Sequence, residues 1–549
     1  MRVYTNAGVA VSKPCGINNV RANFGTGSTV PQAVCVPTLA YDQNSIILAW
    51  NKPDNYSSIV DYNVYMNGEK LGNASSNANQ HSVVKPYFDS FYNDDVDNFH
   101  VKTTFHSFRV TGLEPNKKYK FTVRSVDVNG KESEESNVVV AKTATIYKQI
   151  VNITCAGAVG DGVTLNTAAI QNAIDSCSNG SKSAYGCKVL IPANSSTGNV
   201  FVTGALFLKS NMTLEIAKGA ILKGSIISSD YPLSKGYQLY SYFMNSIDDR
   251  RPPSLLNTLT EDYRNGPIAM ADHQGYDDTR GSFVNIRVVG KGTIDGSGWL
   301  RNKTDLTDEA GNNLAQFDKS NNTNWSTLGL LAKSQLDAAT AEAGGTLNTT
   351  QNTQYYSFRR SSLTTFRGVN NFYFGDLNLT NPALHGPMFL ECENVVFANT
   401  KSETYDINNA DGVEFGNTGQ GKNYETGKNP TQYFWAFNNY LREGHGVLAM
   451  GSHVSAGIED ILAEDNVSFL SDNGLYILST PPTGDGVSSS NVSGSYPETN
   501  NINVTFISIN ITNAPPSKIS HLQDSLFKHI IVTNWAMLLR HGQSVTLLV

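Results

Sequence analysis

Three short segments in the C-terminal half gather residue types that can do chemistry: YDINNADGVEFGN at 405–417, GHG at 444–446 and GSHVSAGIEDILAEDN at 451–466. They set one carboxylate, Asp411, and one imidazole, His445, among glycines and asparagines inside a stretch of short alternating strands. Asn409 and His453 add polar side chains to the same neighbourhood. That is the composition of an active site. The structural alternatives are a turn aspartate before glycine for Asp411 and a satisfied structural histidine for His445. Glycines on both sides of His445 let backbone and substrate approach closely, which a core histidine does not need.

The elements around these residues read as strands. NVFVTGALFLKS, NMTLEIAKG, FVNIRVVG, NFYFGDLNLTN, NVVFANTKS, DILAEDNVSFLS and NINVTFISINITN each alternate with period two and close on Asn, Gly or Ser. Coils of a parallel β-helix need such turns, and stacked coils present a long groove that fits a linear polysaccharide. TLNTAAIQNAIDSC spaces Ala169, Ile170, Ala173 and Ile174 at helical intervals, with Asn166 or Thr167 as N-cap. This helix would cap the open end of the solenoid. The acidic, Gly- and Gln-rich stretch from about 300 to 355 breaks the pattern and reads as a long loop insertion. Residues 33–145 read differently, as a small antiparallel sandwich. The spacing Leu113-x-Pro115-(x)3-Tyr119-x-Phe121-x-Val123 looks like a fibronectin type III module, with Trp50 and Tyr119 as core residues. Residues 1–32 are set apart as an N-terminal segment, and 146–549 as the β-helix domain.

Taken in order with GDGVTLNTAAIQNAIDSC at 160–177, GTIDGSGW at 292–299 and FRGVNNFYFGDLNLTNPALHG at 366–386, the chain resembles glycoside hydrolase family 28, the polygalacturonases. The resemblance is greatest to the exo-acting bacterial type, in which a fibronectin-like module precedes the catalytic domain. It implies an all-β fold, a right-handed parallel β-helix behind a fibronectin type III-like β-sandwich. It also implies inverting hydrolysis of α-1,4-galacturonosyl bonds of pectin or polygalacturonate, with no metal and no cofactor. Asp411 would then stand on the water-activating side, and His445 would hold a catalytic carboxyl through a hydrogen bond. Asn409, His453 and Tyr476 would contact substrate. Secretion is expected from the family, although the first residues, MRVYTNAGVAVSKPCG, lack the apolar core of a signal peptide.

The chain departs from the family pattern twice. The family's Asp-Asp pair, which supplies the general acid, is absent: no Asp occurs between Asp411 and Gly444, and about one coil of residues is missing there. Glu414, Glu425 and Glu443 are the carboxylates within reach by sequence, and none has a matching context. The family's Arg-x-Lys falls on Tyr476-Ile477-Leu478, which cannot neutralise a uronate. A non-catalytic pectin-binding protein of the same fold is therefore the alternative, and a calcium-dependent lyase a third reading for which no carboxylate cluster near Asp411 speaks.

Bulk properties narrow the classes further. Across 549 residues the formal net charge is −7, which argues against a nucleic-acid partner, and no segment approaches the length of a membrane span. Six cysteines contain no C-x-x-C, so a zinc or redox site is not expected. Cys177 and Cys187 bracket a short loop and read as either a disulfide or two thiols.

Overall fold

The computed structural model describes residues 27–193, 196–233, 250–258, 281–302, 316–317, 329–349, 351, 359–404, 411–416, 431–442, 449–450, 458–469, 476–477, 501–512, 518–519, 522–523, 525–532, 538–539 and 545–548. Its N-terminal unit is a sandwich of two antiparallel sheets. One joins Gln32–Cys35, Ile46–Asn51 and Ser107–Val110, and the other joins Glu69–Asn73, Ile59–Met66, Lys118–Asp127 and Val139–Lys142. Alternating apolar residues of both sheets meet between them, so Ile46, Leu48, Trp50, Tyr62, Val64, Phe121 and Val123 are buried. Trp50 meets the Tyr62 ring edge-on at 5.3 Å, and the Tyr119 hydroxyl accepts the Glu114 N–H at 2.9 Å, a tyrosine corner of the kind such sandwiches use.

Two helices, Ala74–His81 and Lys85–Asp94, interrupt the sandwich. Asn73 caps the first by accepting the Ser76 N–H, and the second seats Phe88 and Phe91 in the core.

Residues 149–416 form a stack of coils whose strands line up, among the described residues, in three parallel ladders of six, six and five strands. The first ladder runs Gln149–Asn152, Cys187–Ile191, Met212–Ile216, Phe283–Gly290, Val369–Gly375 and Glu393–Ala398. The second starts at Asp161–Leu165 and ends at Lys401–Glu403. The third runs Leu206–Phe207, Leu256–Asn257, Thr364–Arg367, Pro387–Leu390 and Glu414–Gly416. Helix Thr167–Ser178 closes the first coil with Ile170, Ala173, Ile174 and Cys177 inward, and Cys177 is disulfide-bonded to Cys187. Asn166 stands at its N-cap position, but its side chain spans loops instead, to Val159 and Val202 carbonyls at 3.0 and 3.2 Å.

The abundance of asparagine has a structural cause. Asn211, Asn285, Asn371 and Asn394 occupy equivalent corners with φ between +56 and +66°, a conformation asparagine tolerates better than other side chains. Their amides form a column, each donating to the one before at 2.8, 3.0 and 3.0 Å.

Among the described residues the hydrogen-bonded ladders are not continuous along the stack, although the packing is, with Phe415 and Phe434 ring centroids 5.2 Å apart. Among the described residues the first ladder ends at Glu393–Ala398, and a separate ladder of parallel strands begins at Thr431–Phe437 and continues through Ile458–Phe469 and Asn501–Thr512. The sandwich touches both sides of this break. Arg109 pairs with Asp376 at 2.5 Å and the Val83 N–H donates to Asn399 at 2.9 Å on the upstream side. On the downstream side Lys52 pairs with Asp465, and His106 lies 2.5 Å from Asp465 and 3.5 Å from Glu464, all fully or almost fully buried.

The insertion is not wholly a loop. Helix Leu331–Glu342 lies within it, burying Leu331, Ala332, Gln335, Leu336 and Ala339. Gln335 exchanges hydrogen bonds with Ser361 at 2.7 and 2.9 Å, which ties the helix to the segment that enters the third ladder.

Candidate active site

Along the third ladder Phe366, Phe389 and Phe415 stack inward, with ring centroids 5.5 and 5.2 Å apart. Side chains alternate between the faces of a strand, so the register partners Asn257, Thr365, Met388 and Glu414 face outward. The first three are buried, at 1 %, 3 % and 0 % exposure. Among the described residues the face opens at the fourth rung, where Asp411 is 45 % exposed and Glu414 15 %. Exposure on this face among the described residues therefore begins at Asp411, with the part on the earlier coils covered.

Asp411 lies in the turn that leads into Glu414–Gly416. Its carbonyl accepts the Gly386 N–H at 2.9 Å from the coil below. A Cβ at Gly386 would stand 2.6 Å from that carbonyl oxygen and 2.8 Å from the Gly412 carbonyl oxygen, both backbone, so only glycine lets the two turns meet. Gly386→Ala is expected to push the Asp411 turn outward and lower kcat on the natural substrate by roughly 10- to 100-fold. A thermal midpoint near that of the parent, measured alongside, separates displacement from unfolding.

The residue beside that glycine completes the group. Nδ1 of His385 lies 3.0 Å from an Asp411 oxygen and 2.9 Å from a Glu414 oxygen. Burial alone would lower the imidazole's affinity for its proton, but the Glu414 and Asp411 carboxyls outweigh it and raise His385 to about 9. Burial likewise raises Glu414 above the usual carboxylate value; His385 opposes that rise and the Asp411 charge adds to it. The ligating atoms of all three lie within 4.8 Å of one another.

His385 stands inside the motif FRGVNNFYFGDLNLTNPALHG, yet sequence reasoning gave it no role, and Glu414 was passed over for lack of a matching context. The coil period is the signal that finds them. Register partners in the third ladder are 23 residues apart from Thr365 to Met388 and 26 from Met388 to Glu414, which sets His385 one coil below Asp411. His445, Asn409 and His453 lie outside the described residues. Tyr476 belongs to strand Tyr476–Ile477, which pairs in parallel with Ala449–Met450 and Lys518–Ile519.

Comparison with known proteins identifies the family and the fold. A fibronectin type III domain matches residues 31–142. The exo-poly-alpha-D-galacturonosidase of Dickeya chrysanthemi is 43 % identical over 477 residues, covering 83 % of this chain and 73 % of that protein. The family 28 exopolygalacturonase of Yersinia enterocolitica superposes with a TM-score of 0.76 at 36 % identity, covering 94 % of this chain and 98 % of that one. The chain belongs to the family 28 exopolygalacturonases, parallel β-helix glycoside hydrolases that here carry a fibronectin type III domain in front.

Proposed function

We propose that this chain hydrolyses α-1,4-galacturonosyl bonds of polygalacturonate from a chain end, with inversion. The observation that carries the reading is the outward face of the third ladder, filled at three rungs and open at Asp411. A polymer threaded along an open groove could be cut anywhere, whereas a cleft that stops beside the reacting carboxylate admits only a terminus. Asp411 is the base that takes a proton from the attacking water, and the leaving oxygen takes one from a second carboxyl, for which Glu425 and Glu443 are the other candidates within reach by sequence. Glu414 and Asp411 share one histidine nitrogen, so they sit on the same wall of the cleft and do not straddle a sugar ring. His445 orients a catalytic carboxyl, and Asn409, His453 and Tyr476 bind the sugar. The chemistry needs no cofactor. A polymeric substrate of this kind is met outside cells, which carries an extracellular location with it; among the described residues no helix is long and apolar enough to cross a membrane.

Incubation of the purified protein with polygalacturonate tests the reading. Reducing ends should rise while viscosity falls slowly, with short saccharides as the first products. Absence of reducing sugar at every pH from 4 to 8 rejects it.

A further inference from the structure

The sandwich carries a charged face of its own, on the side of one sheet turned away from the core. Along Lys118–Asp127 the residues Tyr119, Phe121 and Val123 are buried, so Lys118 and Lys120 point to solvent. On the neighbouring strand Val139–Lys142 the exposed residues are Val140 and Lys142. The register sets Lys118 directly opposite Lys142, and Lys120 directly opposite Val140. Cross-strand neighbours stand about 5 Å apart at Cβ and next-but-one residues of a strand about 7 Å apart, so three ammonium groups share one small patch. None of the three pairs with a carboxylate among the described residues, because the nearby ones are taken: Glu114 by Lys117, and Glu132 by Lys70 and Arg124.

Such a patch works against the fold. Like charges placed opposite each other in a sheet are destabilising, and lysine is depleted in strands. Guarding a sheet edge accounts for Lys142, since Val139–Lys142 is the last strand of its sheet. It does not account for Lys118 and Lys120, whose strand is paired on both sides. Nor does the charge of the whole chain, −7, make an unpaired basic group the default. Val140, 59 % exposed, adds an apolar surface among the lysines.

We propose that Lys118, Lys120, Lys142 and Val140 form a second binding surface for anionic polysaccharide, the polyuronate of the reading above, on which the identity of the polymer rests. A polyuronate carries a carboxylate on every ring and apolar C–H faces between them, which match the lysines and the valine. Each exposed charge contact is weak, but the surface belongs to the same chain as the cleft and raises the local concentration of a polymer long enough to touch both. Short oligosaccharides gain nothing from it.

The full chain carrying Lys118→Gln, Lys120→Gln and Lys142→Gln together tests this. Affinity electrophoresis through gels containing polygalacturonate reads binding whether or not the chain turns over. At low salt the triple variant should bind about three- to thirtyfold more weakly than the parent. The difference should vanish in roughly 0.5 M salt, and fully methyl-esterified pectin, which lacks the charges, should retain both chains alike. On trigalacturonate kcat/KM should stay within about twofold, while KM for the polymer rises. The thermal midpoint should not fall, because the change removes a like-charge pair, whereas lysines with a merely structural role would lower it. A control carrying Lys182→Gln, Lys218→Gln and Lys291→Gln, exposed lysines of the solenoid, makes the same change in net charge and should bind as the parent does. Unchanged retention of the triple variant, or an equal loss in the control, overturns the proposal. A parent without turnover whose retention still depends on the three lysines rejects the hydrolytic reading alone; a parent with turnover and unmoved retention rejects the second surface alone.

Discussion

Asp411→Asn lowers kcat by about 10²- to 10⁴-fold and leaves KM for oligogalacturonates within about twofold, the range expected when a positioned acid or base is removed and binding is kept. Asparagine matches aspartate in shape, and the Gly386 N–H still finds the residue 411 carbonyl, so the turn survives. What goes is the proton acceptor. Initial rates of reducing-end release, with substrate binding measured by titration calorimetry on the same sample, check both halves. A variant as active as the parent would place the base elsewhere. A variant that no longer binds would make Asp411 a substrate contact first.

The second large effect is on stability. Lys52, His106, Glu464 and Asp465 form a buried charged cluster between sandwich and coils, supported by the Thr104 N–H on Asp465 at 3.2 Å and the Trp435 indole on Glu464 at 3.0 Å. Removing one partner of such a pair strands the other charge away from water. Lys52→Met is therefore expected to cost about 3–5 kcal/mol, read as a lowered urea midpoint.

The pH dependence of this cluster has a definite sign. Burial lowers His106, but Glu464 and Asp465 outweigh it and raise it to about 9. Its contribution is complete below the unfolded value near 6.5 and fades as pH climbs through about 9. Burial raises Asp465, but Lys52 and His106 bring it below the usual carboxylate value. Its contribution is complete above roughly 4 and is lost as pH falls through that lowered value. The urea midpoint should therefore peak between about pH 4 and 6.5, and His106→Gln should flatten the decline on the alkaline side. A midpoint unchanged between pH 6 and 9 in the parent would show that the cluster contributes nothing.

Much of the architecture could be read from local pattern. Trp50 and Tyr119 announced the sandwich because their packing roles impose a short, fixed spacing. Strands closed by asparagine announced the coils, and the column from Asn211 to Asn394 shows why: each corner needs a left-handed residue that also bonds its neighbour above and below. Helices Ala74–His81, Lys85–Asp94 and Leu331–Glu342 were not legible. The first two are short, and the third sits inside an insertion that breaks the strand pattern, where tertiary contacts such as Gln335 with Ser361 hold it. Asp411 could be singled out as a candidate because its neighbours matched a motif. His385 and Glu414 were not, since their meaning appears only when coils are stacked at the right period. The contact of His106 with Asp465 joins residues 359 apart, and no local pattern encodes it.

A column of coils ordinarily stays straight because every coil is laced to the next. Among the described residues the ladder that ends at Ala398 is not hydrogen-bonded to the one that begins at Thr431, and the leading module acts as a splint, gripping Asp376 and Asn399 on one side and Asp465 on the other. Asp411 belongs to the last coil before this fracture, and the segment carrying His445 comes after it in the chain. Trimming the chain to its solenoid would thus leave the two ladders joined by side-chain packing such as Phe415 against Phe434, without the module's buried charges spanning the join.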